Sequence, residues 1–522
     1  MQTQTQFFRF LAAALVFLPL LFLVLRTASG TPRRLKCALA AVFASSLLFF
    51  CTFHHQDLYR GLDNAMYANI AKAFRSGVQA VRVDTFFSSI PEKAAHAFVL
   101  QKSKTWHKKS HDKAFVLSPD GLSRPWFMLM HPLVASALPE DLFVPLLGAI
   151  WLTLLFLVCC RGTGVAAGVG VFCVLVFATP YPMWFFRDDF AEVSGSMLVA
   201  TALLSHSAKP LKHPAEFAVA AFLVGLATAF HRSTLLFAVP VALLFFAEAG
   251  SWKSRLAVAA AFGIGLLALW LETRYVSAPY GDWTRIVPKE PHKGSTAVKV
   301  IHKSTKYVVP KSPDYFASFA QGLKPAAKSL GFPALTLFLA GTFSLFRGKR
   351  PGIVRKALPF VLLWVLCACI CRLGKDAHTG HIVGVWDFRR IFPCVIVLVS
   401  LFAAPLAELV AALLAKIRLA ARWKKASVVA VAALLCTLCI ARNPTAYFAV
   451  DGKGNREFAD EIGAELEQLK PDLVVFDYFL HHLPFVFDGR FTALGIDERK
   501  HGSWGAAAGC ITRRRWRISA AR

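Results

Sequence analysis

The sequence predicts an all-α polytopic membrane protein with about twelve transmembrane helices. Of its 522 residues, 56% are hydrophobic and only 17% are charged, and the mean hydropathy is +0.51. Soluble domains are roughly 45–50% apolar and about 25% charged. The apolar residues also cluster in blocks near the ~20 residues that a helix needs to cross a bilayer. This combination excludes an ordinary soluble globular chain.

Twelve apolar blocks are the predicted spans, and several are shorter than the ideal length for a membrane-crossing helix. In chain order they are residues 10–25, 35–53, 142–160, 164–186, 190–204, 217–230, 235–246, 256–271, 332–346, 357–370, 391–414 and 426–440. Because of the short blocks, the number of spans is predicted to within one or two.

Clusters of Lys and Arg alternate with these spans and predict the orientation of the chain. The clusters lie at residues 26–36, 209–212, 253–255, 347–356 and 416–425. Short loops rich in Lys and Arg stay on the cytoplasmic side. Both termini are then outside, together with the long segments 54–141, 273–331 and 371–390. We predict a bacterial inner-membrane protein whose site faces the periplasm.

The net charge of +28 raises the alternative of nucleic-acid binding. Many of the cations flank spans, which is the ordinary distribution in membrane proteins. Others lie in segments 102–113 and 289–306, where Lys side chains either attract an anionic lipid head group or are simply solvated. We therefore predict a membrane partner and no nucleic-acid partner.

Three regions follow from this pattern. Residues 1–441 form the membrane domain, in which 54–141 is a first external loop with an interfacial helix. Residues 442–503 predict a small α/β module outside the membrane, because a helical apolar repeat at 456–469 precedes an apolar strand at 473–476. The Ala- and Arg-rich residues 504–522 predict a basic, disordered tail.

Asp63 is the first candidate for chemistry, because it is an acid directly after a span in a basic chain. It opens a predicted interfacial helix that runs to about Ser76. Asp63 and Tyr67 are expected to lie off the apolar face, which is formed by Leu62, Met66, Ile70 and Ala73. The alternative is that Asp63 only stabilises the helix N-terminus through the dipole.

The second candidate is a group of three carboxylates, Asp188, Asp189 and Glu192, between two spans at the same predicted face. Acids at a membrane boundary are costly unless they are solvated, paired or bound to metal. Their spacing places them on one side of a helix, where a divalent cation would suit them. The alternative is a solvated helix start beside Arg187.

Two pairs of basic residues lie at the same face. They are His231 with Arg232, and Arg389 with Arg390. Arginine forks match phosphate oxygens, although an arginine at a span end also snorkels with no function. Acids beside phosphate-binding arginines suit a phosphate-carrying donor and a base that activates an acceptor.

In their order and predicted topology these motifs resemble the GT-C superfamily of polytopic glycosyltransferases that use lipid-phosphate sugars, most closely the protein O-mannosyltransferase and aminoarabinose-transferase branch. Residues 63–67 match the first-loop acidic motif, with Asn64 in place of the usual second acid. Residues 120–132 resemble the later part of that loop, although its usual Tyr is absent. Residues 187–192, 225–232 and 386–393 resemble the second acidic motif, the Gly-containing span that ends in Arg or Lys, and the late Arg and Pro signature.

The resemblance implies a GT-C-like fold and an inverting transfer of a sugar from undecaprenyl or dolichyl phosphate to a hydroxyl of a lipid, glycan or protein. It implies that Asp63 is the catalytic base. The leaving lipid phosphate would be held by Arg232, Arg389, Arg390 and His231. The acceptor or a divalent cation would be positioned by Asp188, Asp189, Glu192 and Tyr67.

A transporter or flippase of lipid-linked saccharides is the alternative, because it too is polytopic with few charges in the membrane. Transporters place substrate groups at mid-span on broken helices and often contain repeats. Here the polar groups cluster at one face and no repeat is visible, which favours an enzyme. The identity of the sugar and of the acceptor does not follow from the sequence.

Overall fold

The structure is a computed structural model, and it describes the following parts of the chain. The main ranges are 2–57, 129–139, 142–177, 191–277, 388–417 and 420–442. Shorter segments are 74–77, 81–82, 115–117, 122–125, 373–375, 382–384, 474–477 and 493–496, with residues 67, 70–71, 464–465 and 468.

Eleven α-helices have both ends within the described ranges. They are α1 (Gln2–Ala28), α2 (Arg33–Asp57), α3 (Met130–Ser136), α4 (Phe143–Thr163), α5 (Val165–Phe177), α6 (Ala191–Ala208), α7 (Pro214–Leu226), α8 (Leu235–Glu248), α9 (Trp252–Ser277), α10 (Phe388–Lys416) and α11 (Ala421–Arg442). Ten of the twelve predicted spans overlap one of these helices. The predicted spans 332–346 and 357–370 lie outside the described residues.

Five of the helices are long and apolar enough to cross a membrane by length and composition. The five stretches are Gln4–Ala28, Arg33–Thr52, Phe143–Thr163, Trp252–Arg274 and Val395–Lys416. Shorter apolar helices cover Val165–Val176, Pro214–Ala229 and Ala426–Leu438. The chain is therefore a multi-pass membrane protein.

The centre of the bundle is formed by α4, α6 and α7, which are buried along most of their length. Here Trp151 of α4 donates a hydrogen bond of 2.8 Å to the Ser400 hydroxyl of α10. The outer helices expose apolar side chains instead; Leu18, Leu48 and Leu434 are each more than half exposed. Such faces suit lipid, because a membrane helix gains nothing by hiding apolar surface from hydrocarbon.

A tight hairpin connects α4 and α5. Gly164 between them has a φ of +80°, a conformation that glycine adopts without strain. A Cβ atom on Gly168 would lie only 2.6 Å from the Cα atom of Cys160. The backbones of α4 and α5 can therefore approach closely, because the residues in contact, Cys160 and Gly168, have a small side chain and none.

Seven short strands form three small sheets among the described residues. Val81–Arg82 (β1), Phe115–Leu117 (β2) and Leu122–Pro125 (β3) pair antiparallel in the order β1-β3-β2. Leu373–Lys375 (β4) and Ile382–Gly384 (β5) pair antiparallel, with Gly374 opposite Val383. Val474–Asp477 (β6) and Ala493–Ile496 (β7) pair in parallel.

The C-terminal pair overlaps the strand predicted at 473–476. Residues 464, 465 and 468, within the predicted helix 456–469, are helical. Parallel strands need a long crossover connection, and 15 residues separate β6 from β7. The α/β module as a whole stays a prediction, as does the disordered tail at 504–522.

The loops meet at two ends of the bundle. At one end, which we call the basic end, Arg161 donates to the carbonyl oxygens of Thr27 and Ala208, and so joins the C-terminal ends of α1, α4 and α6. At the other, the Arg9 guanidinium donates to the carbonyl oxygens of Arg75 and Ser136. These pairings agree with the alternation predicted from charge. Which end faces the cytoplasm stays a prediction.

Candidate functional site at the end opposite the basic end

An elbow between α7 and α8 carries the basic pair His231 and Arg232. Helix α7 ends at Leu226 and tightens into a 3-10 turn at Ala227–Ala229. His231 is extended, with φ −156° and ψ 136°, and a second 3-10 turn follows at Arg232–Thr234. Short 3-10 turns commonly end or connect helices. The elbow places both side chains at the end of the bundle rather than inside it.

Two glycines allow α7 and α9 to pack closely just before the elbow. A Cβ atom on Gly225 would lie 2.5 Å from the Phe262 carbonyl oxygen, and one on Gly265 would lie 2.6 Å from the Leu226 nitrogen. The backbones of α7 and α9 therefore touch at this level. Glu272 lies about two helical turns beyond Gly265 on α9, and Arg232 lies in the elbow just beyond the end of α7, so both residues are at the same end of the bundle.

A third glycine brings the second acidic motif to the elbow. A Cβ atom on Gly195 of α6 would lie 2.6 Å from Thr234 Oγ1 and 2.8 Å from the Ala227 carbonyl oxygen. Glu192 lies three residues earlier and so on the same side of the helix. Its Oε1 is 3.1 Å from His231 Nε2.

The hydrogen bonds of His231 determine its tautomer. Its Nδ1 accepts a hydrogen bond of 3.2 Å from the Ser233 backbone N–H, and the Ser233 hydroxyl lies 2.6 Å away. A backbone N–H can only donate, so Nδ1 carries no proton. The proton is then on Nε2 and is donated to Glu192. The imidazole is thus oriented on both sides.

Glu272, near the end of α9, contacts the first external loop. Its Oε1 accepts hydrogen bonds from the backbone N–H groups of Leu129 and of Met130, the latter at 3.3 Å. Its charge acts on Arg232: burial lowers the pKa of the Arg232 guanidinium, and the Glu272 carboxylate opposes that shift. Among the described residues, neither Glu272 Oε2 nor Arg232 Nε has a hydrogen-bond partner, although both atoms are buried.

An aromatic layer lies beneath the elbow. The ring of the fully buried His131 lies 5.0 Å from that of Tyr67, 5.3 Å from that of Phe143 and 6.3 Å from that of Phe230, the residue before His231. The layer connects the first external loop to the elbow through packed rings.

The position of Tyr67 differs from the sequence expectation. Tyr67, Ile70, Ala71 and Phe74 are all buried, so Tyr67 lies on the apolar face rather than off it. The residues at the end of this segment contact other parts of the chain: Arg75 donates a hydrogen bond of 3.1 Å to the Leu138 carbonyl oxygen, and Arg9 donates to the Arg75 carbonyl oxygen.

The structure thus brings together three of the predicted site residues, Glu192, His231 and Arg232. Tyr67 is connected to them through the ring of His131, which packs on Phe230 at the start of the elbow. The remaining predicted residues are placed less fully. Asp63, Asp188 and Asp189 lie outside the described residues, and Arg389 and Arg390 lie in the first turn of α10 with side chains that the structure does not describe.

Two residues of this cluster, Glu272 and His131, were not predicted from the sequence. Glu272 had a signal, because an isolated carboxylate at the edge of an apolar block is costly unless it has a partner. His131 had none, since a single histidine in a loop is common. Their partners come from distant parts of the chain, which no local pattern reveals.

The comparisons with known proteins add little to this geometry. No family model matches the chain, and no curated protein matches it in sequence. Among solved structures, the chain is similar to the crystal structure of ArnT from Cupriavidus metallidurans bound to undecaprenyl phosphate. The two chains are 14% identical, the overlap covers 90% of this chain and 88% of that chain, and the TM-score is 0.49. That TM-score does not establish a common fold.

Proposed function

We propose that this chain is a membrane glycosyltransferase of the GT-C type. It transfers a sugar from a polyprenyl-phosphate donor to a hydroxyl of a lipid, glycan or protein. The observation that carries the proposal is the convergence of Glu192, His231 and Arg232 at one end of a bundle of membrane helices. These residues belong to two motifs whose order along the chain is that of the superfamily.

The proposed reaction needs a base and an anion-binding group. The acceptor oxygen attacks the anomeric carbon and inverts it, while the bond from that carbon to the phosphate oxygen breaks. Asp63 takes the acceptor proton. Arg232, with Arg389 and Arg390, stabilises the negative charge that stays on the leaving polyprenyl phosphate. His231 orients the same phosphate group.

The proposed position of Asp63 follows from its distance along the chain to Tyr67. The two residues are four apart, so on a continuous helix they share one side. Tyr67 packs on His131 and, through it, on the base of the elbow. This supports a base on the same side of the bundle as Arg232.

Asp188, Asp189 and Glu192 are proposed to position the acceptor or a divalent cation. Glu192 is paired with His231, and that pair orients the imidazole whether or not a cation binds. Measuring the rate of sugar transfer with and without a chelator tests the need for a cation. If the rate is unchanged after chelation, the proposed role of these acids is to position the acceptor.

Sugar transfer from a polyprenyl-phosphate donor tests the proposal. The full chain in nanodiscs is given donors with different sugars, and the released polyprenyl phosphate is measured. Asp63→Asn should abolish release while leaving membrane insertion intact, whereas Asp57→Asn, a matched acid at the end of α2, should release as the unmodified protein does. Full activity of the Asp63 variant excludes it as the base. Movement of intact lipid-linked sugar across the membrane without cleavage supports the transporter alternative.

The proposed orientation has a separate test. Lys253 is exposed in the first turn of α9, next to the connection from α8, and we propose that this end of α9 is cytoplasmic. A cysteine introduced by Lys253→Cys should react with a membrane-impermeant thiol reagent only after the cells are permeabilised. Efficient labelling in intact cells reverses the orientation.

A further inference from the structure

Helix α3 is seven residues long and contains no capping residue of its own. Leu129, at its N-cap position, makes no side-chain hydrogen bond to the helix, and α3 has no acid in its first turn and no base in its last turn. A helix of this length is not stable by itself in water, because its few hydrogen bonds do not offset the cost of forming the first turn. The position of α3 therefore depends on groups from other parts of the chain.

Long polar side chains from two other helices supply partners at the ends of α3. At its start, the Oε1 atom of Glu272 on α9 accepts hydrogen bonds from the backbone N–H groups of Leu129 and Met130. At its end, the guanidinium of Arg9 on α1 donates to the carbonyl oxygen of Ser136. The groups that a helix leaves unsatisfied at its ends are thus partly satisfied by α1 and α9.

The contact of Glu272 with α3 does not require a charge. A carboxyl oxygen accepts hydrogen bonds whether the group is ionised or protonated. The reach of the side chain does matter, because one oxygen must lie opposite two consecutive N–H groups of another element. Glu272 therefore holds the start of α3 through the position of an acceptor oxygen.

The ring that α3 holds in place is that of His131, its second residue. This ring is fully buried and lies 5.0 Å from the ring of Tyr67 and 6.3 Å from the ring of Phe230. Tyr67 follows the proposed base Asp63 by four residues. Phe230 directly precedes His231 in the elbow. His131 thus lies between the segment of the proposed base and the elbow that carries the proposed phosphate-binding residues.

We propose that Glu272 is a positioning residue for the transfer step: by holding the start of α3, it fixes the separation between the proposed base and the elbow. The inference rests on the proposed function. Because protein interiors are close-packed and transmit strain, a shift of α3 changes the contacts of His131 with the rings on both sides. A small displacement of a reacting group slows the chemical step strongly.

The test compares three substitutions at Glu272 with one at the basic end. Glu272→Gln keeps the chain length and the acceptor oxygen without the charge, Glu272→Asp keeps the carboxyl group on a shorter side chain, and Glu272→Ala removes the acceptor. The matched control is Glu216→Ala. The Oε2 atom of Glu216 also accepts from two consecutive backbone N–H groups, those of Lys212 at 2.7 Å and His213 at 3.3 Å.

Hydrogen exchange of the full chain in nanodiscs measures the effect on the fold apart from activity, since an amide exchanges when its local structure opens. Glu272→Ala and Glu272→Asp should raise exchange both at residues 129–136 and at the elbow, residues 227–234. Glu272→Gln should leave both segments close to the unmodified protein. Glu216→Ala should raise exchange only at residues 209–217.

Sugar-transfer kinetics measure the effect on the chemical step. We expect kcat for release of polyprenyl phosphate to fall about tenfold in Glu272→Ala and Glu272→Asp, with the KM for the donor changed less than about twofold. Glu272→Gln should keep most of the kcat although it lacks the charge. Glu216→Ala should keep the rate per folded molecule. If Glu272→Ala does not fold, the aspartate and glutamine variants carry the comparison.

Two results overturn the proposal. If Glu272→Asp transfers sugar as the unmodified protein does and Glu272→Gln does not, the charge of Glu272 matters and the position of its oxygen does not. If exchange at residues 129–136 rises in Glu272→Ala or Glu272→Asp while kcat is unchanged, α3 does not position the reacting groups.

Failure of the proposed function is a different result, in which the unmodified protein releases polyprenyl phosphate from no donor. Hydrogen exchange then decides the link from Glu272 to the elbow by itself. A rise at residues 227–234 in Glu272→Asp but not in Glu272→Gln retains that link, and no rise in either variant rejects it.

Discussion

The two ends of the bundle use the same kinds of side chain in different ways. At the basic end, Arg26 pairs with Glu216 at 2.7 Å and donates to the carbonyl oxygens of Lys209 and Pro210 at 2.8 and 2.7 Å. At the opposite end, Arg232 has a carboxylate nearby, but its buried Nε has no hydrogen-bond partner among the described residues. Each end also contains one His–Glu pair, His206 with Glu248 and His231 with Glu192.

The difference separates groups that hold the fold from groups that are available to a ligand. Arg26 and Arg161 hold the ends of neighbouring helices together through backbone carbonyl oxygens. Buried polar groups in folded proteins are almost always paired. Buried polar groups without a partner beside an oriented histidine are therefore where a ligand is expected. Substituting the same residue type at each end of the bundle tests this difference.

The largest contrast is expected between the two arginines. Arg232→Gln should lower sugar transfer about 100-fold, because a buried charge partner of an anion is worth roughly 2–5 kcal/mol. Arg26→Gln should cost about 1–3 kcal/mol of stability, because it removes the ion pair with Glu216 and hydrogen bonds from a charged group to the carbonyl oxygens of Lys209 and Pro210. Initial rates and thermal melts at equal protein amounts measure both. Equal losses of activity in the two folded variants would contradict the assignment of the ends.

A smaller contrast is expected between the two His–Glu pairs. Glu192→Ala removes the acceptor that orients His231, and a misoriented group at a reacting centre lowers the rate; we expect about a tenfold loss of transfer. Glu248→Ala should lower the melting temperature without changing the rate per folded molecule. Steady-state rates, normalised to folded protein, distinguish the two. A slower Glu248→Ala enzyme would place part of the site at the basic end.

Two glycines on α9 test whether helix contact sets the geometry of the site. Gly265→Ala places a Cβ atom 2.6 Å from backbone atoms of α7, so α9 must shift, and we expect a loss of about 1–3 kcal/mol. The matched variant is Gly263→Ala, two residues away, where nothing lies within 4 Å. It should melt no lower than the unmodified protein, since Ala favours helix. Thermal melts of both variants and the Kd for undecaprenyl phosphate check this.

The smallest effect concerns acid stability at the basic end. Glu216 lies before the span that begins at 217; burial would raise its pKa, but hydrogen bonds from Arg26, Lys212 and His213 prevail and lower the pKa from 4.5 to about 2. A depressed pKa stabilises the fold fully above the unfolded value and loses this stabilisation as the pH falls toward 2.

Melting temperatures measured between pH 6 and pH 3 should therefore fall less steeply in Glu216→Gln than in the unmodified protein. Equal slopes would mean that Glu216 keeps its ordinary pKa in the folded chain. The matched variant Glu192→Gln, at the opposite end, shows whether any carboxylate substitution has the same effect on the slope.

Some of the site could be predicted from sequence and some could not, for reasons that differ by residue. Glu192, His231 and Arg232 were predicted because each interrupts an apolar block, and such interruptions are visible locally. Their meeting was not predicted, because it depends on Gly195 lying against the elbow. Tyr67 was assigned to the wrong face because helical periodicity does not show which side another helix covers.

The sequence by itself determined where long apolar helices form, since a span requires a local run of apolar residues. The sides of the loops stay a prediction from their charge. Ten predicted spans overlap helices in the described part of the chain. Only the tertiary structure decided which polar groups share a site. Glu272 reaches the first external loop at the same end as Arg232 because α7 and α9 touch at two glycines forty residues apart, and backbone contact at that separation leaves no signal in the pattern of either helix.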